Sequence, residues 1–381
     1  MELYVLDALN RRQYVIDQFT SLIWTERWQT YGDFQLNIPS TFGARALLKQ
    51  DTWLALDRSN YVMRVESVED DNNSDGSRIL IIKGRTIEAL MDDRAAPRAT
   101  WTLAPAAIAR DMFHQSCVTG TWDVGDIIPG VVEGSFMPAS TILEPADPIT
   151  IVIDKIATLS DGIITQICSK YDLGFRLLRQ DSTGELYFEI YAGSDRTSDQ
   201  TTLTPVVFST NLDNLQNTKE LTDISKAKNV AYVQKSDGTS TIVYGDGVDP
   251  TVESFERRVL IVDASSLTSP TTAQLTQAGL EALAAARTNY LFDGEVSQQS
   301  QYSYGTDYNL GDLVEQQNSD GVATNMRVTE QIFTQDNTGQ KSYPTLVSYI
   351  VINSGSWLDW NNNKAWFDLD SDTTDVWGNQ P

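Results

Sequence analysis

Short runs of alternating apolar and polar residues, broken by turn-forming residues, dominate the first hundred positions. Residues 3–6, 14–17, the Trp-rich piece 21–28, 34–38, 53–56, 61–68 and 79–83 read as short strands separated by turns, an antiparallel β pattern. The polar stretch 69–76 has hairpin-loop chemistry and predicts an antiparallel connection between 61–68 and 79–83. Its carboxylates read as solvated rather than metal-binding. After Gly84 the spacing turns helical over 86–91, with Thr86 as N-cap and an end before Pro97.

Between Pro97 and about residue 205 the texture changes. Helical pieces are predicted near 104–115 and 148–171, around a loop-rich stretch holding Pro129, Pro138 and Pro145, and strands return at 175–178 and 186–191. The Ser/Thr/Asp/Gln-rich passage 194–204 reads as a connection. Strands follow at 229–234 and 241–244. The Ala- and Leu-rich segment 271–287 predicts the clearest helix, with Leu275, Leu280 and Leu283 on one side, and strands close the pattern at 290–296, 313–315, 326–333 and 343–352. The fold class expected is β-rich and multidomain (α+β). It has a barrel-like β domain at 1–97, an α+β domain at 98–205, a second β-rich domain with one long helix at 206–352, and a Trp-rich acidic arm at 353–381.

An internal echo bears on that division. Val62-Met63-Arg64-Val65-Glu66-Ser67-Val68, before a polar loop ending in Gly76, resembles Asn325-Met326-Arg327-Val328-Thr329-Glu330-Gln331-Ile332, before a loop ending in Gly339. Each follows a short strand and turn. Strand–turn–strand pieces resemble one another by default, so coincidence and duplication both stand at this level; duplication would give two related β-barrels.

Length and composition allow several cores: 381 residues, 41% hydrophobic and 21% charged, enough apolar surface to offset the entropy of ordering. The 52 acidic against 28 basic residues give a formal charge of -24, which argues against wrapping nucleic acid or anionic lipid. Solubility accounts for such a surface, and so does a wall past which a polyanion must slide. Cys117 and Cys168 make no disulfide framework and read as buried thiols. No basic leader with an apolar run opens the sequence, and no run approaches a membrane span, so synthesis in the cytoplasm without a membrane span is expected.

Candidate chemistry is sparse. The single histidine, His114, has Cys117 three residues away, but no nucleophile elbow accompanies any serine. One His and two separated Cys do not complete a zinc site. Asp368-Leu369-Asp370-Ser371-Asp372 opens like a calcium loop, yet Thr373 and Asn379 stand where Gly and Glu belong. Gly245-Asp246-Gly247 lacks the following helix of a phosphate loop. No catalytic residue, cofactor or metal is assigned, and the chain is read as a non-enzyme. Trp357, Trp360, Trp366 and Trp377 sit among Asn, Asp and Gly in a segment too polar for its own core. They read as a partner interface, with packing on the same chain and sugar stacking as alternatives.

Several pieces together carry a resemblance. They are Leu3-Tyr4-Val5-Leu6-Asp7, Ile16-Asp17, Ser21-Leu22-Ile23-Trp24-Thr25-Glu26-Arg27-Trp28, Tyr31-Gly32-Asp33-Phe34-Gln35-Leu36, Lys83-Gly84-Arg85-Thr86-Ile87-Glu88-Ala89-Leu90 and Tyr308-Asn309-Leu310-Gly311-Asp312-Leu313-Val314. In number and order they resemble the Gp37-like minor tail proteins of siphoviruses of actinobacteria, strongly over 1–95 and moderately over 270–350. The resemblance implies a tail-hub-like architecture with two related β-barrels and an α+β insertion, assembled as a homotrimer at the virion tail tip. It implies a baseplate hub that joins the six-fold distal tail to the three-fold tip, with the distal tail protein, the tape measure protein and other tail-tip or fibre proteins as partners. Genome DNA would pass through the channel without specific binding, and a receptor- or carbohydrate-binding tail-tip protein is the alternative function.

Overall fold

The computed structural model describes residues 1–349 apart from 73–77, 97–98, 154–156, 160–162, 246, 252, 266–270, 287–288, 297–300, 319–320 and 322. The described residues are 43% strand against 16% helix, and the chain separates into two compact units. One is formed by Met1–Thr218 with Asp293–Tyr349, the other, among the described residues, by Lys219–Phe292.

An eleven-stranded sheet organises the first unit. From one end its order is Val207–Ser209, Leu313–Gln317, Ala323–Asp336, Ser21–Arg27, Asp33–Pro39, Arg78–Thr86, Val62–Asn72, Trp53–Leu56, Leu3–Leu6 and Arg12–Ile16, with Gly339–Ser348 paired to Ala323–Asp336 off this path. Alternation does what the pattern predicted. Phe34, Leu36 and Ile38 are buried on one face of Asp33–Pro39, against Leu22, Trp24, Leu80 and Ile82. A second core is built from Ile87, Trp101, Ile108, Met112, Phe113, Phe175 and Ile190 and includes Ala55 and Val62 from the sheet.

The echo in the sequence is an in-register repeat in the structure. Trp53, Leu54 and Ala55 pair with Arg64, Met63 and Val62; Leu313, Val314 and Glu315 pair with Arg327, Met326 and Asn325. Each long strand then has a register shift at the matching place, between Val65 and Ser67 and between Val328 and Glu330. The turns before them also match. Asp51 and Gly311 both have positive φ, 63° and 84°. Asp51 N–H donates to Val65 O at 2.8 Å and Val65 N–H to Thr52 O at 2.9 Å; Gly311 N–H donates to Val328 O at 2.8 Å and Val328 N–H to Asp312 O at 3.0 Å. Thr52 Oγ1 accepts from Lys49 N–H at 3.2 Å, as Asp312 Oδ2 accepts from Asn309 N–H at 2.9 Å.

These two hairpins belong to one continuous open sheet. No closed barrel is formed among the described residues, so the two barrels implied by the resemblance are not present as closed barrels in the single chain.

Several local expectations are corrected. Residues 69–72, read as loop, extend the strand Val62–Asn72, where Asp70 is held by Arg78 and lies 3.5 Å from Arg45. Ile149–Ile153, read as helix, is a strand paired with Ala99–Leu103, as its Ile-Thr-Ile-Val-Ile run favours; among the described residues of that stretch only Ile164–Lys170 is helical. Thr86 stands before the 3₁₀ turn Ile87–Asp93 but makes no side-chain cap, because its hydroxyl accepts the Gly32 N–H at 3.1 Å.

The second unit has a three-stranded sheet in which Val230–Gln234 lies between antiparallel Ser240–Tyr244 and parallel Val259–Asp263. Helix Thr272–Ala285 contributes Leu275 and Leu283 to a core with Ala231, Val233 and Val243. Leu280, expected on that face, is 42% exposed; the buried stripe runs through Leu275, Gly279 and Leu283 at four-residue spacing.

The two matched arginines differ in surroundings, and that difference is measurable. Arg327 is buried, with its guanidinium 4.5 Å from the Trp28 ring and 4.5 Å from the Tyr349 ring, and it donates to Ala192 O at 3.1 Å. Arg64 pairs at the surface with Asp51 and Asp93. Arg327→Ala is expected to cost about 2–4 kcal/mol in urea unfolding, and Arg64→Ala less than about 1 kcal/mol. Equal costs would contradict the assignment.

Candidate functional site

The residues that carried the resemblance converge on buried polar contacts rather than on a reaction centre. Glu26 is fully buried and accepts from Trp24 Nε1 at 3.1 Å, from Tyr304 Oη at 2.7 Å and from the Ser59 hydroxyl. Burial pushes its carboxyl up to about 7, against the pull of those donors. Glu88 is also buried, and desolvation raises it to about 7 although Leu177 N–H donates to it at 2.7 Å. Asp312 receives the N–H groups of Ser194 at 2.8 Å and Asn309 at 2.9 Å, and Arg196 Nε at 3.1 Å. Burial raises its carboxyl too. Gly84 lies opposite the first bulge, where an added Cβ would meet Arg64 O at 1.8 Å; the backbones touch there only because the residue is glycine.

A cavity of about 750 Å³ opens beside helix Pro105–Phe113. Phe113 and Phe188 stack on its wall with centroids 3.7 Å apart. Its arginines are paired with carboxylates, Arg176 Nε donating to Glu189 at 2.7 Å and Arg110 Nη1 to Glu144 at 3.0 Å, and His114 Nδ1 lies 3.2 Å from Glu133. Such pairs hold the walls in place, and the Ser135 hydroxyl also donates to the Glu189 carboxylate on the same wall. Cys117 is buried beneath the same helical segment, and desolvation pushes its thiol up to about 12, as it does for Cys168. Both sulfurs are therefore protonated at neutral pH, matching their reading as buried thiols. No group of three or more His, Cys, Asp or Glu among the described residues is placed to hold a metal ion, and none of the described helices is long and apolar enough to cross a membrane.

Trp357, Trp360, Trp366 and Trp377, together with the acidic run from Asp368, lie outside the described residues. The structure instead draws notice to groups that spacing did not single out. Arg176 and Glu189 face each other across paired strands and show no local motif. Glu26 reads in sequence as one polar position within a strand, although the three aromatic or hydroxyl donors around it come from both ends of the chain.

A family model, described as Siphovirus ReqiPepy6 Gp37-like protein, matches residues 2–346. The chain belongs to that family. No curated protein matches this Gp37-like chain. Among solved structures, it is similar to the 43 kDa tail protein of prophage MuSo2 from Shewanella oneidensis, with a TM-score of 0.60 at 14% identity, covering 91% of this chain and 98% of that one. It is also similar to a tail protein from Neisseria meningitidis MC58, with a TM-score of 0.61 at 15% identity over 94% and 98% of the two chains. A chain of the half-lidded Francisella PdpA-VgrG complex gives 0.51 at 8% identity over 91% of this chain and 57% of that one. At these identities the likeness is one of fold.

The Gp37-like chain has a pH signature set by its buried glutamates. A folded pKa near 7 against an ordinary 4.5 means the native state keeps a proton that the unfolded state releases. The stabilisation is complete below about 4.5 and is lost as pH rises through about 7, at about 1.4 kcal/mol per pKa unit. Denaturant unfolding should show stability falling over that window, with a shallower fall in Glu26→Gln, which leaves Glu88 to titrate alone. A variant with the same slope as the native chain would contradict the buried-glutamate account.

Proposed function

We propose that this protein is a structural tail-tip, or baseplate hub, protein of a long-tailed bacteriophage. Three copies form a ring around the DNA channel, join the six-fold distal tail to the three-fold tip, and contact the distal tail and tape measure proteins. Other tail-tip or fibre proteins attach to it, and the channel serves genome ejection. The observation that carries this reading is the in-register repeat in a chain whose fold is shared with phage tail proteins. Three copies of a chain with two equivalent units present six similar surfaces, which is what a six-fold tube requires of a three-fold partner. Each unit becomes barrel-like in the ring, where neighbouring copies supply strands. The acidic charge of -24 per chain would line the channel and keep DNA from adhering.

Light scattering on the purified protein tests the ring. A mass of about 127 kDa, three times the 42.4 kDa chain, is expected, and a species that stays at one chain mass at micromolar concentration would contradict it. The Trp-rich arm is assigned to contacts with other tail proteins. Truncation before Trp357 should therefore leave the unfolding midpoint within a few degrees of the full chain and reduce incorporation into particles. Equal incorporation of the two forms would count against this role.

A further inference from the structure

The two copies of the repeated unit are not equally covered. In the second copy the far half of Ala323–Asp336 has strands on both edges: Gly339–Ser348 on one, and Ser21–Arg27 on the other, from Glu330 opposite Arg27 to Gln335 opposite Leu22. In the first copy Val62–Asn72 pairs with Arg78–Thr86 along one edge, but on the other Trp53–Leu56 reaches only Val62, Met63 and Arg64. Residues 67–72, which match 330–335 beyond the bulge, therefore present an edge with no strand among the described residues. They are exposed apart from half-buried Val68.

Six residues of unpaired edge offer backbone N–H and C=O groups to an incoming strand. Glu69, Asp70 and Asp71 discourage indiscriminate pairing, while the hold of Arg78 on Asp70 lowers the charge a specific partner meets. The repeat indicates which strand that partner supplies. In the second copy the cover is the first strand of the first copy, Ser21–Arg27, whose own neighbour is Asp33–Pro39. Asn289–Val296 precedes the Gly311 turn much as Asp33–Pro39 precedes the Asp51 turn, and it pairs with Leu215–Asp223. Leu215–Asp223 thus holds the place of Ser21–Arg27 in chain order, and the compact unit Lys219–Phe292 begins within it and ends within Asn289–Val296.

We infer that the edge at residues 67–72 takes Leu215–Asp223 from a second copy of this chain as an added strand. Within one chain Leu215–Asp223 is paired with Asn289–Val296 in a two-stranded sheet of its own and does not join the eleven-stranded sheet, so the strand for residues 67–72 is assigned to a second copy. Each chain then gives one strand and receives one, a head-to-tail contact that closes into a ring. This inference rests on the ring reading and specifies its joint.

The test uses the full chain with the photoreactive residue benzoylphenylalanine in place of Glu69, whose exposed side chain leaves the backbone edge free. This chain is mixed with ¹⁵N-labelled native chain, assembled, irradiated and mapped by mass spectrometry, with the probe at Asp71 as a second variant. Mixed-isotope links from the probe to peptides spanning 215–223 are expected. If a multimer forms and the links fall elsewhere or only within one chain, the inference is overturned and the ring survives. If both variants and the native chain stay single, the ring and its joint fall together.

Discussion

One extra residue in each of two long strands governs how this molecule is built. Glu66 and Thr329 mark the register shifts in Val62–Asn72 and Ala323–Asp336. A bulge bends a strand and increases its twist, so the two halves of one strand can serve different neighbours along the same edge. In the second copy the near half pairs with Leu313–Gln317 and the far half with Ser21–Arg27. The first copy shares the near-half arrangement, and its far half has no strand on that edge among the described residues.

The strands around the bulges carry further local requirements. Gly84 is needed because the backbone of Arg64 comes so close. Thr86 gives its hydroxyl to Gly32 in place of a helix cap. The turn into each first strand needs a positive φ, met by Asp51 in one copy and Gly311 in the other. The two hairpins also differ, most clearly at Arg64 and Arg327. The first remains in solvent-screened ion pairs, while the second is flattened between two aromatic rings, where lost solvation must be replaced by ring and carbonyl contacts.

Much of the sheet was legible in the sequence because half-buried strands alternate. The hairpin echo was visible for the same reason, since Met63 and Met326 occupy the same inward position of the same hairpin. What failed was whatever depends on tertiary partners. Residues 149–153 carry β-branched side chains that fit a strand, but only Ala99–Leu103 gives that strand an edge. Leu280 keeps a helical spacing yet faces solvent, because Gly279 brings the helix onto Val233 and Val243. The buried glutamates were illegible for a related reason: Glu26 is accommodated by Ser59 and Tyr304, the latter 278 positions away. The cavity walls, fixed by Arg176 and Glu189 on adjacent strands, left no periodic trace either.

The central claim is that one duplicated, bulged hairpin lets a three-copy ring present six equivalent units. A reconstruction of the assembled protein by electron cryomicroscopy tests it most directly. The account predicts three-fold symmetry, with the hairpin of Val62–Asn72 and Arg78–Thr86 and that of Ala323–Asp336 and Gly339–Ser348 at equal radius. About 60° of rotation around the axis should separate them. Hairpins at different radii, or a ring of another order, would contradict it.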